Sequence, residues 1–277
     1  MKVNSLSRFM RIPMGFAILA ALVSPAIAQA EHQCSVLSPK NRVALVELYT
    51  SEGCSSCPPA DKWLSALSES GLSTKQVLPL AMHVDYWDYI GWKDRFADPR
   101  YTKRQRNHAV NNRLRNIYTP QVVTAGKDTR DWYRARSFLS RVSAINQEQA
   151  SISIELSASA GEVTGAPLQV SIAVAPVAGA DDLPERSQVH LMVYEDSLST
   201  EVSRGENAGE LLTHDRVVRA WARPQSLTEP LTTSADFERS VELPGDVDLA
   251  NMGVAAFVEN GKGEIVQATE CRLRQSS

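Results

Sequence analysis

Cys54 and Cys57 stand two residues apart in the run Cys54-Ser55-Ser56-Cys57. Thiols at this spacing can close a small disulfide ring and open it again by thiolate attack. A thiol at the start of a helix is held more readily as thiolate, which is the form that attacks. The residue types permit three uses: redox exchange, a metal site or a loop staple. Soft thiolates suit Cu(I), but no Met-rich tract or second CxxC lies nearby, and His83 and His108 would join such a site only if the fold brought them close. Structural zinc would need a second close thiol pair, which Cys34 and Cys271 do not form. The expectation is therefore no resident metal and no cofactor.

Cys34 and Cys271 set the wider context. With Cys54 and Cys57 as the local pair, an even cysteine count leaves these two to bridge the front of the chain to its last strand-like segment. The alternative is two free thiols near frayed ends. Disulfides belong to oxidising compartments, and the N-terminus agrees. Lys2, Arg8 and Arg11 precede the apolar run 12–23, and small-residue cleavage sites end at Ala28 and Ala30. Residues 1–30 read as a secretory signal, too short to span a membrane comfortably. No stable membrane insertion is expected after its removal, and the destination is the periplasm or exterior of a bacterium. Removing the three signal cations leaves 26 basic against 32 acidic residues, a net charge of about −6. That balance argues against a nucleic-acid partner.

The elements that must position the dithiol alternate in type. The spacing predicts a buried strand over 43–49 directly before the CxxC, a helix over 60–67 and a strand over 77–84. Asp98 before Pro99 marks a helix start, with the helix running to about Leu114. A strand over 121–125 and a helix over 131–145 follow. Near Ser151 the pattern changes to period-two alternation, as in Ile152, Ile154 and Leu156, repeated in several short strands. Asn260-Gly261 marks a hairpin between the last two. The reading is α/β, with an α/β domain over 31–148 and a β-sandwich-like domain over 149–277. The segment 201–215 reads as a polar surface loop with no catalytic pattern. The stretch 99–127 contains no acid but has Arg100, Lys103, Arg104, Arg106, Arg113 and Arg115, as expected of a solvated helix face, the alternative being a docking surface for an acidic partner.

Several residues gather around the dithiol in this reading. Pro58-Pro59 fit only the first turn of the following helix. Thr119-Pro120 precedes a strand well downstream, where a cis proline would face the sulfurs. Ser55 and Ser56 offer hydroxyls that can hydrogen-bond the Cys54 thiolate. Glu47 interrupts an apolar strand; it is either a buried proton carrier with a raised pKa, or a carboxylate paired with a cation or facing water at a strand end. His83, Asp85, Tyr86 and Trp87 form a polar–aromatic cluster at a strand end, where α/β sheets bind ligands. They are expected to wall a substrate groove, with His83 and Asp85 on one face. For His83 the other reading is a hydrogen-bonded core residue.

These residues also carry a resemblance. Glu47 to Asp61 (ELYTSEGCSSCPPAD), His83 to Asp88 (HVDYWD), Gly91 to Asp94 (GWKD) and Tyr118 to Gln121 (YTPQ) resemble a family of secreted bacterial proteins of unknown function within the thioredoxin-like superfamily. The resemblance covers roughly residues 42–145 strongly. It implies a thioredoxin-like fold for the first domain and thiol–disulfide exchange at Cys54 and Cys57 with the proline loop at Pro120. Cys54, taken as the more exposed thiol, would attack, and Cys57 would resolve. Partners would be thiols or disulfides of proteins or small molecules. The alternatives are a binding or structural module whose dithiol stays oxidised, and a Cu(I)-handling protein.

Overall fold

The computed structural model describes residues 1, 32–67, 70–161, 166–179, 186–227, 231 and 233–275. The expected signal segment, apart from Met1, lies outside the described residues.

The chain opens with β1 (His32–Leu37), β2 (Ala44–Thr50), α1 (Pro58–Ala66) and β3 (Val77–His83). A 3-10 turn at Asp85–Ile90 leads to α2 (Pro99–Asn111), then β4 (Gln121–Thr124), β5 (Lys127–Asp128) and α3 (Ala135–Gln147). Next come β6 (Ile152–Ala160), β7 (Leu168–Pro176), β8 (Gln188–Glu195), β9 (Leu198–Glu201) and β10 (Leu211–His214). The last elements are β11 (Val217–Trp221), β12 (Gln225–Ser226), β13 (Ala235–Val241), β14 (Met252–Glu259), β15 (Ile265–Arg272) and β16 (Arg274–Gln275).

Local chemistry explains the boundaries. Every residue of β2 and β3 is buried, as continuous apolar runs demand when both faces of a sheet are covered. α1 starts with Pro58 and Pro59, where the missing amide donors cost nothing. Asp98 caps α2 by accepting from the Arg100 amide at 2.8 Å, with Pro99 in the first turn. Helix α3 begins at Ala135, four residues later than the pattern predicts, because 131–134 form turns. The Asn260 side chain accepts from the Lys262 and Glu264 amides at 2.9 Å each, and so closes the β14–β15 turn.

Among the described residues the strands make a nine-stranded, a five-stranded and a two-stranded sheet. The large one is mixed and runs β15-β14-β8-β11-β3-β2-β4-β5, with β12 attached to β8. Its centre is the parallel pair β2–β3, paired from Ala44↔Val77 to Thr50↔His83. Strands from late in the chain extend it, through β11 paired to β3 at Val217↔Ala81. The five-stranded sheet is antiparallel in the order β13-β7-β6-β1-β16. It packs on β8 and β14 through a core that includes Ile154, Ile172, Val193 and Val254. On one face of the large sheet α1 and α3 share a core, with Leu64 and Phe138 meeting Val46 and Leu48. The opposite face holds Leu45, Tyr49 and Leu80 with Tyr101 of α2 and Phe257 of β14. The molecule is thus a mixed α/β fold dominated by sheet.

Cys34 and Cys271 are disulfide-bonded, with Cα atoms 5.7 Å apart. The bridge joins β1 to β15 across 237 residues of sequence.

Candidate functional site

The dithiol lies where β2 ends. Beyond Thr50 the chain turns tightly: the Cys54 amide donates to the Ser51 carbonyl, and the Cys57 amide to the Cys54 carbonyl, both at 3.1 Å. Gly53 allows the 3-10 turn to approach, since a Cβ there would lie 3.2 Å from Cβ of Trp87. Cys57 then caps α1, its carbonyl accepting from the Ala60 and Asp61 amides. Cys54 and Cys57 are disulfide-bonded, with Cα atoms 5.4 Å apart.

The Thr119–Pro120 bond is cis, and its loop faces the sulfurs. The Thr119 hydroxyl donates to Sγ of Cys54 at 3.4 Å and accepts from the Trp87 indole at 2.7 Å. Gln105 of α2 fixes the loop by donating to the Tyr118 carbonyl at 2.8 Å and to the Gln121 side chain at 2.9 Å. The Ser56 hydroxyl lies 3.4 Å from Sγ of Cys54. Ser55 turns away from it, toward Glu206.

Both cysteines are 0% exposed. The expectation that Cys54 is the more accessible thiol is therefore corrected. Part of its cover comes from the segment between β9 and β10, which the sequence pattern passes over as a surface loop. Asn207 is buried and donates to the Glu52 carbonyl at 2.8 Å and the Cys54 carbonyl at 3.1 Å. Glu206 accepts from the Ser55 amide at 3.0 Å and from the Ser55 hydroxyl at 2.6 Å. The Ser55 hydroxyl, followed by its amide, holds the Glu206 carboxyl below the ordinary range. Burial alternates along Leu211–His214, but the residues Leu-Leu-Thr-His do not alternate in polarity, so the sequence carries no period-two signal for this hairpin.

A buried polar cluster lies behind the CxxC loop. His83 is 0% exposed, its Nδ1 2.7 Å from Asp94. Asp94 also accepts from the Glu52 and Phe96 amides. His214 stacks edge-on to His83 with ring centroids 5.0 Å apart, 3.5 Å from Glu52 and 4.0 Å from Asp61. Asp61 lies one turn along α1 from Cys57. Burial pushes its pKa up, and His214 offsets this only in part. His83 thus has the hydrogen-bonded core setting of the two read for it. Asp85 does not share its strand face: it begins the 3-10 turn and accepts from the Thr102 hydroxyl at 2.5 Å. Tyr86 and Trp87 are half-buried on that turn; burial raises the Tyr86 pKa by more than its hydrogen bonds with Gln105 and Thr119 lower it.

Glu47 is fully buried on the opposite face of the sheet from α1. Its carboxylate lies 2.6 Å from Arg104 and 3.1 Å from His108, and accepts from the Tyr49 hydroxyl at 3.2 Å. Burial alone would raise its pKa, but Arg104 and His108 outweigh it and hold the group ionised. The geometry is that of the cation-paired reading. Arg104, expected on a solvated face, is 5% exposed and also pairs with Glu259 at 2.6 Å. The same sheet separates His108 from His83. Among the described residues no group of three or more His, Cys, Asp or Glu side chains converges as a metal site, and no helix is long and apolar enough to cross a membrane.

The family model DUF1223, described as a protein of unknown function, matches residues 45–259. None of the curated proteins matches the chain. Among solved structures, a protein from Agrobacterium tumefaciens is similar at 24% identity and TM-score 0.57, over 87% of this chain and 98% of that one. HBP35 of Porphyromonas gingivalis is similar at 12% identity and TM-score 0.62, over 85% and 76%. At these identities the likeness is one of fold.

Proposed function

The chain belongs to the DUF1223 family, whose function is unknown, and from that premise we propose an exported thiol–disulfide oxidoreductase acting through Cys54 and Cys57. The observation that carries this reading is the CxxC disulfide at the start of α1, with the Thr119 hydroxyl of the cis-proline loop on Sγ of Cys54. A thioredoxin-like reading of the first half is supported by parallel β2–β3, antiparallel β4 and β5, α1 and α3 on one face and α2 on the other. Export is supported by the signal-like N-terminus and by two disulfides, which suit an oxidising compartment.

In the proposed cycle the reduced protein attacks a partner disulfide with the Cys54 thiolate. One partner sulfur leaves as thiolate and takes a proton. The Cys57 thiolate then attacks Sγ of Cys54 in the mixed disulfide and expels the second partner sulfur. One electron pair passes to the partner, and the protein is left oxidised; the reverse sequence oxidises a dithiol. The hydroxyls of Thr119 and Ser56 lie where they would donate to the Cys54 thiolate and lower its pKa. Asp61, rather than Glu47, is the buried acid nearest Cys57 along the chain, and its raised pKa suits proton exchange.

Two measurements test the proposal. Cys57→Ser should trap covalent mixed disulfides with exported proteins, and the wild-type dithiol should have a potential above about −250 mV. No trapped adduct together with a potential below roughly −300 mV would overturn it. That outcome would favour the second reading, a module with a permanently oxidised staple, for which the full burial of both cysteines speaks.

A further inference from the structure

The contacts between the β9–β10 segment and the CxxC loop have the form of a bound polypeptide. The segment is a closed unit: Val202 and Gly209 exchange with Glu210 and Val202 through backbone bonds of 3.0 and 2.7 Å, and Glu210 donates to Asn207 at 3.1 Å. Its base is sunk in the protein at Leu198, Val202 and Leu212. Its tip is pressed on the chain just past the 3-10 turn, where Gly205, at φ +78°, leaves only 3.2 Å between an added Cβ and Cβ of Trp92. From that tip two consecutive residues bond three backbone groups of the dithiol loop. Asn207 donates to the carbonyls of Glu52 and Cys54, and Glu206 accepts from the amide and hydroxyl of Ser55.

Alternating donors and an acceptor are what an extended chain offers from its own backbone. A small thiol offers none of them, and displacing the tip would remove the Asn207 bond from the Glu52 carbonyl and the Glu206 bond from the Ser55 amide, leaving the Cys54 carbonyl with the Cys57 amide alone. We propose that the segment between β9 and β10 is a built-in occupant of the dithiol's substrate seat, and that Glu206 and Asn207 thereby select polypeptide partners and exclude small thiols. This rests on the exchange reading and narrows its substrate class. An incoming chain replaces the tip's hydrogen bonds with its own and then reaches the sulfurs.

The test is the reduction of the oxidised protein by two thiols, mercaptoethanol and an extended cysteine-containing peptide of about ten residues, with rates compared per thiolate. In each case one thiolate attacks the Cys54–Cys57 bond and forms a mixed disulfide. A second thiol cleaves this, so the electron pair and two protons end on the two cysteines and the reductant leaves as its disulfide. Wild type should react with the peptide about tenfold faster than with mercaptoethanol, the scale of one lost hydrogen bond. Glu206→Ala/Asn207→Ala should raise the mercaptoethanol rate about tenfold while moving the peptide rate less than about twofold. Glu206→Gln keeps the shape and one acceptor oxygen, so it guards against a folding defect; about a threefold rise is expected. A mercaptoethanol rate equal in wild type and both variants would overturn the proposal. If that common rate is fast, exchange chemistry stands without the selector. If both thiols are slow in every form, exchange falls with it.

Discussion

His83 is buried against a carboxylate that favours its protonated form. Burial pushes its pKa down, but the Asp94 carboxylate at 2.7 Å more than offsets this, so the net shift is upward from 6.5. Asp94 moves the other way: burial raises it, and His83 with the Glu52 and Phe96 amides brings it below its ordinary value. Asp61, Glu52 and His214 face the same imidazole. A base whose folded pKa is raised stabilises the fold fully below the ordinary value and loses that contribution as pH rises through the raised one. The urea midpoint should therefore be higher at pH 6 than at pH 9, and His83→Gln should flatten that difference; an unchanged slope in the variant would refute the assignment. The sequence displayed His83 but not its partner. Asp94 is eleven residues on, across a 3-10 turn and a loop, and no periodicity links the two.

At the scale of elements, α2 is fastened to the sheet by charge as much as by apolar contact. Arg104 bridges Glu47 of β2 and Glu259 of β14, both largely buried. Removing one member of such a group leaves an uncompensated buried charge, so Arg104→Met should cost about 3–5 kcal/mol in denaturant titrations. Replacing Glu47 by Gln as well should recover part of that loss, and a milder single-variant effect would show Glu47 to be neutral. Helix starts were legible because capping is local: Asp98-Pro99 and Pro58-Pro59 state their positions within a few residues. Arg104 was misread as solvated because a charge run on a helix carries no mark of which cation turns inward. The β9–β10 hairpin was missed because its strands are short and its tip is rich in Glu, Asn and Gly, the composition of an idle loop.

For the whole molecule, the front and back of the chain meet twice. β1 pairs with β16 at His32↔Gln275, and Cys34 bonds to Cys271 close by. In the chain-entropy description a loop this long makes the bridge worth roughly 5–6 kcal/mol. Cys34→Ser/Cys271→Ser should lower the urea midpoint accordingly while the Cys54–Cys57 potential stays where it was. Coincident loss of both would show the two bridges to be coupled. Strand periodicity made the β-rich half legible, but nothing in it announced that β11 pairs with β3. Pairing between strands so distant in sequence is accompanied by a shared packed face, with Leu80 of β3 and Val218 of β11 in one core, which no local pattern encodes. The hairpin that covers the dithiol leaves the large sheet at β8 and returns to it at β11, and those two strands are paired neighbours. Its tip is therefore tethered at both ends to the same frame that carries β2 and the CxxC loop. Such tethering fixes an effective local concentration, in the millimolar range for short links. Occupancy of the seat then does not change on dilution, and a partner's apparent affinity is reduced by the fraction of molecules in which the seat is open.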